Sequence, residues 1–164
     1  IHGAGSYGSF EAKKYKLNYG ILPDNNKQNI NSVEGFVLCR AAISILHSHI
    51  IGKLIEYNIP IVSVSPNGLV TSNNGVINRT QFKPLIMTIK NILKHGMIPL
   101  IHSDLIFDDK IGCSILNADI LVEHISNVFI PSRIIFYTNV NGIYDLSKLN
   151  KSKPKLIKQI DVNQ

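Results

Sequence analysis

Residues 1–10 read IHGAGSYGSF, and the fold turns on what this glycine-rich stretch is. Gly3, Gly5 and Gly8 satisfy G-x-G-x-x-G, the spacing of a dinucleotide-binding turn. That reading requires a strand before the glycines, a helix after them and, about 20 residues on, a second strand ending in an acid that holds the ribose. The segment at that distance is ILPDNNKQN, with the single acid Asp24 and no apolar run able to form a strand. The Walker pattern G-x-x-x-x-G-K-[ST] is absent as well. Two readings of the residues stay open. The stretch is a structural turn, or it is an anion site whose glycines let the backbone approach a phosphate while the amides opening the next helix point at it.

Outward from this stretch, Phe10 to Tyr15 suits a short helix, and GILPDNNKQNINS reads as a polar loop. In GFVLCRAAISILHSHIIGKLIEYN, residues Cys39, Ile43, Leu46, Ile50 and Leu54 recur at spacings of three and four, predicting a long helix over residues 35–57 that stops at Asn58, before Pro60. PIVSVSP predicts a buried strand, NGLVTSNNGV a turn, and TQFKPLIMTIKNILKHG a helix with Leu85, Ile89, Ile92 and Leu93 inward and Gly96 as its cap. A strand in MIPLIHSD, a hairpin around FDDKIGC, a helix over ADILVEHISNV and a strand in RIIFYTNVNG follow. Strands alternating with helices of this length imply an α/β fold with a mostly parallel sheet covered on both faces. Ligands of such sheets sit at the carboxyl ends of the strands, where this chain carries HGAGSYG, HSD and TNVNG; these loops predict one site.

The chain has 164 residues, 45% of them hydrophobic, which predicts one globular unit with a well-buried core. It starts at Ile1 with no room for a strand before the glycines, so the expectation is a piece of a longer protein. No apolar stretch is expected to span a bilayer, which takes about 20 residues, and no signal-peptide pattern is present. Cys39 and Cys113 are far apart and in no metal-binding spacing, which predicts buried thiols and a cytoplasmic setting. The net charge of +6 fits anionic metabolites. Its densest lysine group, LSKLNKSKPKLIK, lacks the aromatics that stack on bases, so a solvated loop is expected there and no nucleic-acid partner.

HGAGSYG followed by AKKY resembles the H-G-[GA]-G-S-[FY]-G-H segment of the isopentenyl phosphate kinases, a branch of the amino acid kinase superfamily. The likeness continues in order through the long helix, IPIVSVSP, MIPLIHSDLIFDDKIGCSIL, NADILVEH and IIFYTNVNGIYD, across almost the whole chain. The resemblance implies a three-layer α/β/α sandwich, here incomplete, and a homodimer formed through the helix at 35–57. It implies transfer of the ATP γ-phosphoryl group to isopentenyl phosphate, with Mg2+, yielding isopentenyl diphosphate for isoprenoid synthesis. By position, Ala4 and Gly5 would offer amides to the phosphates of substrate and ATP, Gly8 would keep the loop open, and Ser9 would meet the substrate. Asp119 would orient catalytic lysines, and Asn139, Val140, Asn141, Gly142 and Tyr144 would border the adenosine. No protein-held metal site is expected.

This chain departs from the pattern at several positions. Ser9 replaces the histidine that contacts the substrate phosphate, Ser103 replaces a glycine, Asn117 and Ala118 replace Ser-Gly before Asp119, and Asn139 and Asn141 replace two aspartates. The family's N-terminal K-x-G-G-S strand and C-terminal glycine-rich segment, each with a lysine, are expected outside these residues, so the segment alone is expected not to catalyse. The alternatives are an impaired relative serving as a binding or dimerisation module, and a sister kinase for another small phosphate, phosphonate or carboxylate.

Other polar residues carry ordinary expectations. His2 is expected either to make a structural hydrogen bond or to act in catalysis, His47 to sit in the core or a dimer contact, and His124 to be an ordinary helix residue. His102 and Asp104 lack the third ligand a metal pair would need. Asp108 and Asp109 suit the hairpin turn, and Ser6 has no activating partner.

Overall fold

A computed structural model describes residues 1–21, 31–145 and 155–159. The chain divides into two compact units, Ile1–Ile130 and Pro131–Gln164.

Four helices organise the first unit. α1 spans Gly5–Lys14, starting five residues before the expected Phe10, because the glycine stretch is itself the first helical turn. A single 3-10 turn, Leu17–Tyr19, follows it. α2 is Ser32–Glu56 and begins where the Asn31 side chain accepts the Glu34 amide at 3.0 Å. α3 is Arg79–Lys94, opened by a capping box in which Asn78 and Gln81 each accept the other's amide at 3.0 Å, and closed at Gly96 with φ +72°. α4 is Ala118–Phe129, capped by Asn117 on the Ile120 amide. Asn at the cap satisfies an amide that has no partner inside the helix, and three of the four helices use it.

The strands lie between these helices. β1, Ile61–Val64, runs parallel to β3, Ile98–Ile101, in the register Ile61 to Ile98 through Val64 to Ile101. β2, Thr71–Ser72, runs parallel to β4, Asp104–Asp108, which turns back antiparallel into β5, Gly112–Leu116. Neighbours on β4 show how the layers form. Leu105 packs with Tyr15, Leu17, Cys39 and Ile43 on the side of α1 and α2, while Ile106 packs with Val64, Phe82, Leu85, Ile89, Leu116 and Leu121 on the side of α3 and α4. A strand alternates its side chains every residue, so two consecutive buried leucine-type residues require cover on both faces. The result is the expected α/β/α arrangement with parallel pairing.

Details of the helices differ from their periodicity. In α2 the buried line is Gly35, Cys39, Ile43 and His47, with Leu46, Ile50 and Leu54 only half-buried. In α3 Leu93 is exposed and Phe82 and Ile86 fill the face instead. Gly35 is required by packing: a Cβ there would overlap Cβ and Cγ of Tyr15. By length and composition α2 is able to cross a membrane, contrary to the expectation that no stretch approaches that length; one side of it packs on α1, β1 and β4, while most of its apolar stretch stays exposed or half-buried.

In the second unit the strand expected in RIIFYTNVNG does not form. Ile134, Ile135, Phe136 and Tyr137 are exposed and in no ladder among the described residues, and β-branched propensity alone does not hold a strand without neighbours. β6, Tyr144–Asp145, pairs antiparallel with β7, Lys155–Leu156. The loop expected at residues 20–32 and the lysine-rich loop fall largely outside the described residues.

Candidate active site

The opening segment runs beside the end of β3. The His2 amide donates to Ile101 O and the Ser103 amide donates to His2 O, both at 2.9 Å, so residues 2 and 102 form a parallel bridge. This brings together the HGAGSYG and HSD loops, two of the three expected at one edge. The third, TNVNG, belongs to the second unit.

Beyond the bridge the chain turns at once into α1. Gly5, the first helical residue, has φ +54°, a backbone conformation costly for a side-chain-bearing residue. α1 is the one α-helix described without a capping side chain, and its first turn holds no acid. Its leading amides are therefore left to an outside acceptor, and the helix dipole favours an anion there. Gly8, expected in an open loop, lies inside α1. A Cβ on it would come within 2.7 Å of the Ala4 Cβ and 3.0 Å of Ile43, so its bareness admits α2 against α1.

The start of α1 faces a cavity of about 440 Å³. Ala4, Gly5, Gly8 and Ser9 line one side and Asn117, Ala118 and Asp119, at the start of α4, another. The five expected residues of the first unit, Ala4, Gly5, Gly8, Ser9 and Asp119, thus share one cavity although its two ends lie far apart in sequence. Between them the walls are largely apolar, from Ala12, Cys39, Ile43, Leu105 and Ile115. The arrangement suits a small molecule with an anionic head and a short apolar tail. Burial, with the nearby carboxylates of Asp104 and Glu11, pushes the Cys39 thiol up to about 11, so it is a wall and not a nucleophile. Burial likewise pushes Cys113 up to about 11, and both cysteines are buried free thiols as expected.

Supporting side chains hold the loops in place. Asp104 is buried and accepts Nε of Arg40 at 3.0 Å, Nη2 of Arg40 at 3.2 Å and Oγ of Ser65 at 2.7 Å, tying α2, β4 and the loop after β1 together. This fork is the structural answer to His102 and Asp104 as a metal pair: their closest approach is 3.9 Å, and no group of three His, Cys, Asp or Glu able to hold a metal exists among the described residues. Sequence does not single out Arg40, because an arginine inside an apolar helical run gives no hint of a partner 64 residues on.

His47 is buried, in line with a core residue, and His2 makes a structural hydrogen bond to it. Nε2 of His2 lies 2.8 Å from Nδ1 of His47, whose Nε2 lies 2.7 Å from Ser63 Oγ; Nδ1 of His2 lies 2.9 Å from Gly3 O. One assignment satisfies every atom: Ser63 donates to His47, His47 Nδ1–H donates to His2, and His2 Nδ1–H donates to the Gly3 carbonyl. The chain links β1 and α2 to the backbone just before α1. His124 stacks on Phe82 with centroids 4.5 Å apart, an ordinary helix contact.

Asp108 closes the β4–β5 hairpin as expected. It accepts the amides of Lys110 and Ile111, and also those of Asn74 and Gly75 and the hydroxyl of Ser72, fastening the hairpin to β2. In the second unit, Asn139, Val140, Asn141, Gly142 and Tyr144 are close in sequence. The Val140 amide donates to Thr138 Oγ1 at 3.4 Å, Gly142 has φ +137°, and Tyr144 opens β6.

The α/β/α sandwich thus sets an uncapped helix start against a cavity, an arrangement that suits an anion. The sequence profile of the amino acid kinase family matches residues 1–164, and the chain belongs to that family. It is 34% identical over 163 residues to isopentenyl phosphate kinase of Methanocaldococcus jannaschii, covering 99% of this chain and 56% of that one. It is 30% identical over 168 residues to isopentenyl phosphate kinase of Arabidopsis thaliana, covering 100% and 47%. A crystal structure of isopentenyl phosphate kinase superposes with a TM-score of 0.83 at 28% identity, over 98% of this chain and 63% of that one. The chain spans about half the length of the curated relatives it matches.

Proposed function

We propose that the protein carrying this chain is a small-molecule kinase that transfers the ATP γ-phosphoryl group to the phosphate of isopentenyl phosphate. The observation that carries the reading is the uncapped start of α1 opening on a cavity with an anion-accepting end and apolar walls. The likeness to isopentenyl phosphate kinases in sequence and in fold supports it. Such transfer asks little covalent work of a protein, so positioning and charge neutralisation dominate.

In this reading the amides at Ala4 and Gly5 receive phosphate oxygens, and the five-carbon tail lies against Ile43, Leu105 and Ile115. Asp119, exposed at the cavity edge, orients the cationic groups that meet the transferred phosphoryl group. Asn139, Val140, Asn141, Gly142 and Tyr144 border the adenosine. Mg2+ enters with the nucleotide: of the two carboxylates lining the cavity, Asp104 is held by Arg40 and Ser65 and Asp119 stands exposed, and Mg2+ characteristically keeps waters and phosphate oxygens as ligands. Val37, Leu38, Ile45 and Ile55 leave apolar surface exposed on α2, which supports a homodimer through that helix. Two buried free thiols fit a cytoplasmic location.

The test is phosphorus NMR of the full-length protein with ATP, Mg2+ and isopentenyl phosphate, beside a panel of other small phosphates, phosphonates and carboxylates. Diphosphate formed from isopentenyl phosphate is the expected result. Replacing Ser9→His is expected to raise kcat/KM about tenfold or more, since the Ser9 hydroxyl donates to the Gly5 carbonyl and a histidine there would add a charge-assisted hydrogen bond worth about 1.5 kcal/mol or more. Preference for another panel member would move the assignment to a sister kinase. No product from any, with or without Ser9→His, would leave a binding module.

A further inference from the structure

We infer that Lys13 is the residue that supplies positive charge to the substrate's phosphate in this chain; the inference rests on the function proposed above. Ser9 occupies the place where resembling sequences carry a histidine, yet its hydroxyl is engaged. Ser9 Oγ donates to the Gly5 carbonyl at 2.5 Å, which uses its single proton and turns only lone pairs toward the cavity. The amides of α1 carry a partial charge of about half a unit, and Asp119 across the cavity adds a negative charge. A phosphate monoester placed there lacks a full counter-charge from any of these groups.

Lys13 is the one cationic side chain among the described residues that line the cavity. It follows Ser9 by four residues, hence on the same face of α1 and about 6 Å further along its axis. Helical side chains lean toward the N-terminus, so the flexible stem carries the ammonium back over the turn that holds Ser9. Neighbouring cations are committed elsewhere. Lys14 Nζ stands 4.7 Å from the centre of the Tyr15 ring, and Arg40 is clamped by Asp104 and Ser65. Lys13 has no ion-pair partner among the described residues. Its other possible task, complementing the end of the α1 dipole, is one that Lys14 in the same turn already performs.

Calorimetry on the full-length protein tests this with two probes, isopentenyl phosphate and the uncharged alcohol isopentenol. Lys13→Gln keeps a side chain of similar length and helix propensity, so the fold is expected to survive, with thermal unfolding as the check. Expected is an affinity for isopentenyl phosphate lower by about tenfold, with isopentenol unaffected, Lys13→Arg within about threefold of the parent, and Lys14→Gln equal to the parent. Unchanged phosphate binding in Lys13→Gln, or equal loss for phosphate and alcohol, would overturn the role of Lys13 and leave the proposed function standing. If the parent protein binds the alcohol but gains nothing from the phosphate, the proposed function falls and Lys13 with it.

Discussion

Lowering the pH from 7.5 to 5 is expected to destabilise the first unit through the chain Ser63–His47–His2–Gly3. His47 is buried, its ring centroid is 5.1 Å from that of His2 and 4.4 Å from that of His102, and Asp104 is the nearby acid. Burial first, and the two neighbouring imidazoles next, pull its pKa from 6.5 down to about 4. Burial also lowers that of His2. The sign follows from which state takes the proton. Between about 6.5 and about 4 the unfolded chain binds a proton that the folded chain refuses, so stability falls as pH drops through this window and the loss is complete below about 4. A shift of about 2.5 units at about 1.4 kcal/mol each sets an upper limit near 3.4 kcal/mol. Solvent screening and relaxation around the rings reduce this to about 1–2 kcal/mol at pH 5. That is a sizeable share of an ordinary stability of about 5–15 kcal/mol. Urea unfolding at pH 7.5, 6 and 5 reads the effect. His47→Gln, which donates to His2 and accepts from Ser63 without titrating, is expected to flatten the profile. If His47→Gln loses as much stability at pH 5 as the parent, the protonation argument is wrong.

Further outcomes follow from packing and from the buried acid. Gly35→Ala places a Cβ on top of Tyr15 and is expected to cost about 2–3 kcal/mol in chemical denaturation, with a far-UV spectrum close to the parent's; a neutral result would mean α1 and α2 are not packed as described. Asp108 would have its pKa raised by burial, but the hydrogen bonds from Ser72, Gly75, Ile111 and Lys110 overcome this and hold it well below the usual carboxylate range. Its contribution is present above about pH 3.9 and lost as pH falls below that toward its depressed folded value. Asp108→Asn, which turns amide hydrogens toward those donors, is expected to lower the urea midpoint at pH 7 by the equivalent of about 2–3 kcal/mol, and this difference is expected to shrink below pH 3.

The alternation of apolar strands with amphipathic helices, the turn glycines, the buried cysteines and the hairpin acid are all legible in the sequence, because each depends on residues close together along the chain. Asn78 and Gln81 cap α3 across three positions, and Asp108 meets Lys110 and Ile111 across two and three. The order of the motifs likewise points to the α/β/α fold and to Ala4, Gly5, Gly8, Ser9 and Asp119 as one site. What tertiary structure alone decided involves partners far apart along the chain. Periodicity places Leu46 and Leu93 inward as readily as His47 and Ile92, and only the neighbouring layers select between them. The run Ile134–Tyr137 has strand chemistry but no ladder among the described residues, since a strand is completed by hydrogen bonds it cannot make to itself. Arg40 meets Asp104 across 64 residues, His2 meets His47 across 45, and Ser9 has its hydroxyl taken by a carbonyl of its own helix while Lys13 is left facing the cavity. A sequence specifies which groups are present, but whether a charge is spent on a neighbour or left free for a ligand depends on distances that only the packed chain defines.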